Sequence, residues 1–350
     1  MLQPLYGLEL TFLPRKHWPR WPEFRRKREA QAAAAALNQE MAKDVRIRSL
    51  ASDIEHPVRG LFKARADTFR ATWLGQPHAS WCIEMGNVPL PAHHIYNDAF
   101  EGIYESAAAL DLVPHVERDR RGVIQDYPTG GGHIHVGTDF WHEGSSYLVH
   151  LYLLERALTI SYANNPWMRW LYAQWSDNRN SRVAIDPSSL RAMDELRRKR
   201  RFTARNASDV AHSAALSSDN SAIRQRIARS YGGKASLSTY ELRWFDMPRT
   251  AGELRLQVSF VDRWFRHYGE QLDTIAALKG KERDEAMTAW YRNERFTLTT
   301  YQYRRLTTDL TYARETAAAY LTEIGMDPEP TLDTFWERNY VRRMRHGTFA

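Results

Sequence analysis

His133 and His135 stand two apart in Thr129-Gly130-Gly131-Gly132-His133-Ile134-His135-Val136-Gly137. Alternate residues of a β-strand point to one face. A strand here therefore projects both imidazoles together and turns Ile134 and Val136 the other way. Imidazole is a common metal ligand and a good phosphate partner. The glycines before the pair let the backbone bend sharply or come close to a ligand. A His-x-His pair also occurs as a structural pair or a plain surface feature, so the pattern needs company before it means chemistry.

Three further segments supply that company. Gly7-Leu8-Glu9-Leu10-Thr11-Phe12 puts Glu9 and Thr11 opposite Leu8, Leu10 and Phe12. Trp81-Cys82-Ile83-Glu84-Met85-Gly86-Asn87 puts Glu84 opposite Trp81, Ile83 and Met85. Tyr240-Glu241-Leu242-Arg243-Trp244-Phe245 puts Glu241 and Arg243 opposite Tyr240, Leu242 and Trp244. Each reads as a half-buried strand with a greasy inner face. An antiparallel sheet with a solvated polar face explains the alternation. It does not explain a polar face poor in Lys, Ser and Gln and rich in ligand-type side chains. If the strands are neighbours, Glu9, Glu84, His133 and Glu241 form a carboxylate-rich site that hard divalent cations such as Mg2+ or Mn2+ would neutralise.

A fifth segment carries the opposite charge. Trp175-Ser176-Asp177-Asn178-Arg179-Asn180-Ser181-Arg182-Val183 holds two arginines among small polar residues. Guanidinium forks bind phosphate or carboxylate through paired hydrogen bonds; an ordinary surface loop is the alternative.

In this order the five segments resemble the glutamine synthetase-like superfamily of carboxylate–amine ligases, and within it the small amidoligase branch. The family's Gly-x-Glu-x-Glu strand is matched by Gly7-Leu8-Glu9-Leu10-Thr11, and its glutamate before a proline-containing turn by Glu84 to Pro89. Gly-x-His-x-His is matched by Gly132 to His135 with a one-residue difference in spacing, and Asn-Arg with a further arginine by Asn178, Arg179 and Arg182. Glu-x-Arg is matched by Glu241-Leu242-Arg243, ahead of Asp246 and Pro248. The resemblance implies that Glu9, His133 and Glu241 hold a metal beside the phosphates of ATP; either Glu84 with water holds a second metal on the substrate side, or only one tightly bound metal remains. It implies that Asn178, Arg179, Arg182 and His135 serve the nucleotide, and that Arg179 and Arg243 act in catalysis. Arg243 would face the acyl phosphate or the carboxylate substrate. Thr11 departs from the pattern: where the family has a second glutamate, this chain has a neutral hydroxyl, which removes one ligand from the substrate-side metal.

The elements that must position these residues can be sketched. The chain has 350 residues, 43% of them hydrophobic, enough for a large core. The helix-forming stretches are 22–43, 92–110, 145–163, the segment from Asp186 to Arg201, and most of the chain beyond Gly252. The expected architecture is α+β: a curved antiparallel sheet bears the active site and helices cover its other face, as in the glutamine synthetase catalytic domain. Residues 1–250 are expected to form the catalytic core and 251–350 a helical C-terminal extension packed on it. Residues 203–238 read either as a lid or as a plain surface helix and loop.

A net charge of +7 comes largely from three basic clusters, Arg15 to Arg28, Arg197 to Arg201 and Arg342 to His346. Such clusters contact polyanions, nucleic acid included, or are simply solvated helix faces. No apolar run is long enough for a transmembrane helix, no leader precedes the first strand, and the single Cys82 forbids an internal disulfide and fits a reducing cytoplasm. The expectation is a cytoplasmic, ATP- and Mg2+- or Mn2+-dependent enzyme, as a monomer or a homo-oligomer. It joins small-molecule or peptide carboxylate and amine substrates into an amide or peptide-like bond through an acyl phosphate. Two alternatives stand beside it: an ATP-dependent phosphotransferase on the same fold, and a basic nucleic-acid-binding protein with a degenerate site.

Overall fold

The computed structural model describes residues 4–14, 22–73, 76–114, 116–118, 124–128, 131–137, 187–199, 223–226, 239–293 and 299–346, with single positions 153, 154, 157, 167, 170–172, 203 and 206. The chain divides into two compact units. One is Leu5–Gly137 with Phe245–Val258; the other is Met1–Pro4, Thr138–Trp244 and Ser259–Ala350. Both the strand with Glu241 and the helix after it run across the division in sequence.

In the first unit the elements run β1 (Leu5–Pro14), α1 (Glu23–Lys43), α2 (Val45–Asp53), α3 (Val58–Leu61), β2 (Phe62–Trp73), β3 (Gln76–Asn87), β4 (Leu90–Pro91), α4 (Ala92–Ile95), α5 (Ala99–Ala109), β5 (Leu112–Pro114), β6 (Val116–Arg118), β7 (Ile124–Pro128) and β8 (Gly131–Gly137). The main sheet is antiparallel, in the order β2-β3-β1-β8, with β4 and β5 pairing to opposite ends of β1. β1 is central because alternation suits it to that place: Tyr6, Leu8, Leu10 and Phe12 are buried, while Gly7, Glu9 and Thr11 are partly open. Burying each such apolar side chain contributes about 1.5–3 kcal/mol. A slip of one residue would send all four to the polar face.

Helices cover the apolar face. α1 packs on β2 and β3, burying Ala30, Ala34, Leu37 and Met41, which recur at helical spacing. Lys27 lies over the ring of Trp81. α5 meets the same face edge-on, Phe100 against Phe62 and Tyr104 against Phe12. Asp44 caps α2 by accepting from the backbone N–H of Arg46 and Ile47. Gly102 lets α5 pass this cap: a Cβ there would lie 2.8 Å from the Asp44 carboxylate. The helix expected over 92–110 is broken at Tyr96–Asp98 into α4 and α5.

Asn87 ties the sheet where β4 takes over from β3 beside β1. Its Oδ1 accepts from Leu8 N–H at 2.7 Å and its Nδ2 donates to the Tyr6 carbonyl at 3.2 Å, so one side chain replaces a rung of the ladder.

In the second unit, α6 (Pro187–Arg198) begins where Pro187 predicts, at the first turn. β9 (Ile223–Arg226) pairs antiparallel with β10 (Thr239–Asp246). Then follow α7 (Ala251–Ala276), α8 (Gly280–Asn293), α9 (Thr300–Thr308), α10 (Leu310–Glu323), α11 (Pro328–Phe335), a π-helical turn at Trp336–Val341 and α12 (Arg342–His346). The core of this unit is aromatic: Tyr172 packs on Phe260 and Phe335, and Trp336 stacks on Tyr340 with ring centroids 4.4 Å apart. Gly325, at φ 81°, closes α10 in the left-handed conformation that glycine accepts without penalty. Among the described residues no helix is long and apolar enough to cross a membrane. Most of the expected helix over 145–163 and most of 203–238 lie outside the described residues.

Asn87→Ala removes two cross-strand hydrogen bonds and leaves the Leu8 N–H without this acceptor. The expected loss is about 2 kcal/mol of unfolding free energy, read by chemical denaturation. A change within experimental error would show that solvent replaces the side chain at this rung.

Candidate functional site

The polar face of the sheet in the first unit gathers five of the residues singled out above: Glu9, Thr11, Glu84, His133 and His135. Register does this: Glu9 stands opposite His133 on one side and Gly86 on the other, Gly7 stands opposite His135, and Thr11 stands opposite Glu84. Glu9, His133 and His135 are each only partly exposed, with side chains 20%, 17% and 15% open.

Glu9 sits between the two imidazoles. Its Oε2 lies 2.8 Å from His133 Nδ1 and its Oε1 lies 3.1 Å from His135 Nε2. Burial by itself would raise the Glu9 carboxyl. The hydrogen bonds from His133 and His135, then their charge, outweigh it and hold Glu9 well below the usual carboxylate range. Glu9 is thus a fixed anion. His135, expected to contact phosphate, here bonds to Glu9.

Glu84 is in a different state. It forms an ion pair with Arg65, its direct cross-strand partner on β2. Burial raises its carboxyl, the charge of Glu9 adds to this, and Arg65 offsets only part, leaving it near 7. Cys82 lies on the same strand and is buried. Burial, with Asp67 and Glu84 nearby, pushes its thiol up, away from thiolate reactivity.

Glu241 and Arg243 lie on the part of β10 that belongs to the second unit. The alternation predicts Glu241 on a face opposite Tyr240 and Leu242. Instead all three are buried, with Glu241 only 1% exposed. The Nε of Arg243 lies 3.5 Å from Glu241 Oε1, an ion pair inside that unit. Asn178, Arg179 and Arg182 lie outside the described residues.

Sequence reasoning missed Arg65. The signal was present, since Phe62-Lys63-Ala64-Arg65-Ala66-Asp67 alternates, with Lys63, Arg65 and Asp67 on one side. The small alanines on the other side made it a weak strand pattern. Only the twelve-residue pairing of β2 with β3 reveals it.

No protein-family model matches the chain, and no curated protein matches it. Among solved structures, the chain is similar to the ligase PafA in the crystal structure of its complex with the prokaryotic ubiquitin-like protein Pup. The identity is 11% and the TM-score 0.33, over 99% of this chain and 64% of that one. The chain therefore spans less than two thirds of that ligase. A likeness this low assigns neither fold nor activity.

The state of Glu84 gives a pH test. Its folded pKa is raised, so the folded protein holds a proton there that the unfolded chain, titrating at about 4.3, has lost. Its contribution to stability is full below that value and is lost as pH rises through about 7. With metal chelated, wild type should lose more stability between pH 5 and pH 8 than Glu84→Gln does. Equal losses in the two proteins would show that Glu84 is not desolvated in this way.

Proposed function

We propose that this protein is an ATP-dependent carboxylate–amine ligase of the glutamine synthetase-like type, working through an acyl phosphate. The observation that carries the reading is Glu9 bracketed by His133 and His135. The first-strand glutamate and the His-x-His motif, far apart in sequence, stand in register on adjacent strands with their polar atoms converging. Collinearity of the five motifs supports it further.

The donor set fits a divalent cation. Glu9 offers an ionised oxygen and His133 a ring nitrogen, aimed at one another on a partly shielded face. Glu9 and His133 would hold the ion, with Glu241 as the third ligand; Mg2+ or Mn2+ there would screen the phosphate charge of ATP. In the protein alone the Glu9–His133 contact needs a proton between the two atoms. Ligation must displace it, so metal affinity falls as the solution is acidified.

The chain's own residues have separate tasks in this scheme. Asn178, Arg179 and Arg182 bind the nucleotide, and Arg179 steadies charge on the transferring phosphoryl group. A substrate carboxylate takes that group, and an amine then displaces phosphate from the acyl phosphate. Arg243, tethered to Glu241, faces the carboxylate end and stabilises the tetrahedral intermediate. His135 keeps Glu9 ionised and oriented, which makes it a positioning residue. Small-molecule or peptide carboxylates and amines are the substrate class.

The test is phosphate release with Mg2+ or Mn2+ across a panel of carboxylates and amines, run beside metal-dependent ATP binding. Amine-dependent release is the expected result; release indifferent to amine would favour a phosphotransferase. Glu241→Gln keeps shape and removes a charge, so metal-dependent ATP affinity should drop more than tenfold, about 1.4 kcal/mol or more, while the fold survives. An unchanged metal titration would remove Glu241 from the site. Arg243→Ala should lower turnover more than ATP affinity, because its interaction strengthens after phosphoryl transfer.

A further inference from the structure

The family pattern places a second glutamate where this chain has Thr11, and so a second metal on the substrate side. The residues around Thr11 do not fit that ion. Arg65, Glu84 and Thr11 are direct cross-strand partners in one row over β2, β3 and β1. Side chains in such a row stand side by side on one face. A pair of carboxylates at 11 and 84 would have made a doubly negative row. With threonine at 11, one carboxylate remains, and Arg65 already neutralises it through Nη2. Asp67, 4.0 Å from the same Nη2, flanks the guanidinium on its own strand. Arginine does not lose its proton in proteins. A divalent ion entering the row would therefore meet a fixed positive charge and a carboxylate already engaged.

We propose that the guanidinium of Arg65 takes the place of the second divalent cation. It neutralises Glu84, and the polar face then holds a single metal ion. The inference rests on the proposed ligase reading for the pattern of two ions. The Arg65–Glu84–Thr11 row stands without it. Arg65 is 61% exposed, so replacing it does not open the core.

The experiment is a Mn2+ titration of the full chain, metal alone, by equilibrium dialysis. It compares wild type, Arg65→Gln, Arg65→Lys and the double variant Arg65→Gln/Glu84→Gln, each with its circular dichroism spectrum checked. Arg65→Gln should bind one more Mn2+ than wild type, the added site being at least tenfold tighter than any corresponding site in wild type. Arg65→Lys should bind the same number as wild type, and the double variant should lose the added ion. No added ion in folded Arg65→Gln, or an added ion that survives Glu84→Gln, overturns the proposal. The wild-type count separates the two ideas. A rise from none to one supports the role of Arg65 and removes the metal from Glu9 and His133. A rise from one to two supports both. Two equally tight ions in wild type overturn the role of Arg65.

Discussion

The carboxylate of Glu9 is the constraint around which the first unit is organised. It sits on the central strand, largely withdrawn from water, and a buried anion needs a compensating partner. Both partners come from β8, which must then lie beside β1 in one register, with His133 opposite Glu9 and His135 opposite Gly7. The apolar side of β1 enforces the same register independently. Tyr6, Leu8, Leu10 and Phe12 fill the core only when Glu9 faces away from it. Packing on one face and electrostatics on the other select a single pairing, which is the consistency that makes a sequence specify one structure.

Across this face, negative charge is met by two kinds of partner. Imidazoles hydrogen-bond to Glu9 and a guanidinium pairs with Glu84. The difference matters chemically. An imidazole can give up its proton and become a ligand, which is what the proposed metal site asks of the Glu9 pair. A guanidinium cannot do so, and the Glu84 pair is closed to that exchange. Neighbouring carboxylates thus differ in what they can bind because different residues face them. The histidine hydrogen bonds hold the Glu9 carboxyl well below the usual carboxylate range, while burial and the charge of Glu9 push the Glu84 carboxyl up to about 7. Two carboxyls pushed apart in this way by their surroundings can take separate tasks in one site.

Glu241 is almost wholly buried with Arg243 beside it, a costly arrangement unless the carboxylate is needed where it is. A hydrophobic residue at 241 would serve packing alone better.

The sequence alone determined the candidate residues and which face of each strand they take, because alternation is a local property that β-strands impose every two residues. Gly7 to Phe12 and Gly132 to Val136 are legible in this way, as are α1 and the start of α6. Collinear motifs also made Thr11 visible as a departure. Three matters belonged to the tertiary structure. His135 bonds to Glu9, because strand register sets which atoms meet and no spacing within one strand encodes register. Glu241 is buried on both sides, since burial depends on what packs over a face. Arg65 joins the polar face through a long hairpin whose alanines leave almost no hydrophobic pattern, so only the pairing of β2 with β3 reveals it. Periodicity assigns a side chain to a face; the partner it meets across the sheet is fixed when distant segments fold together.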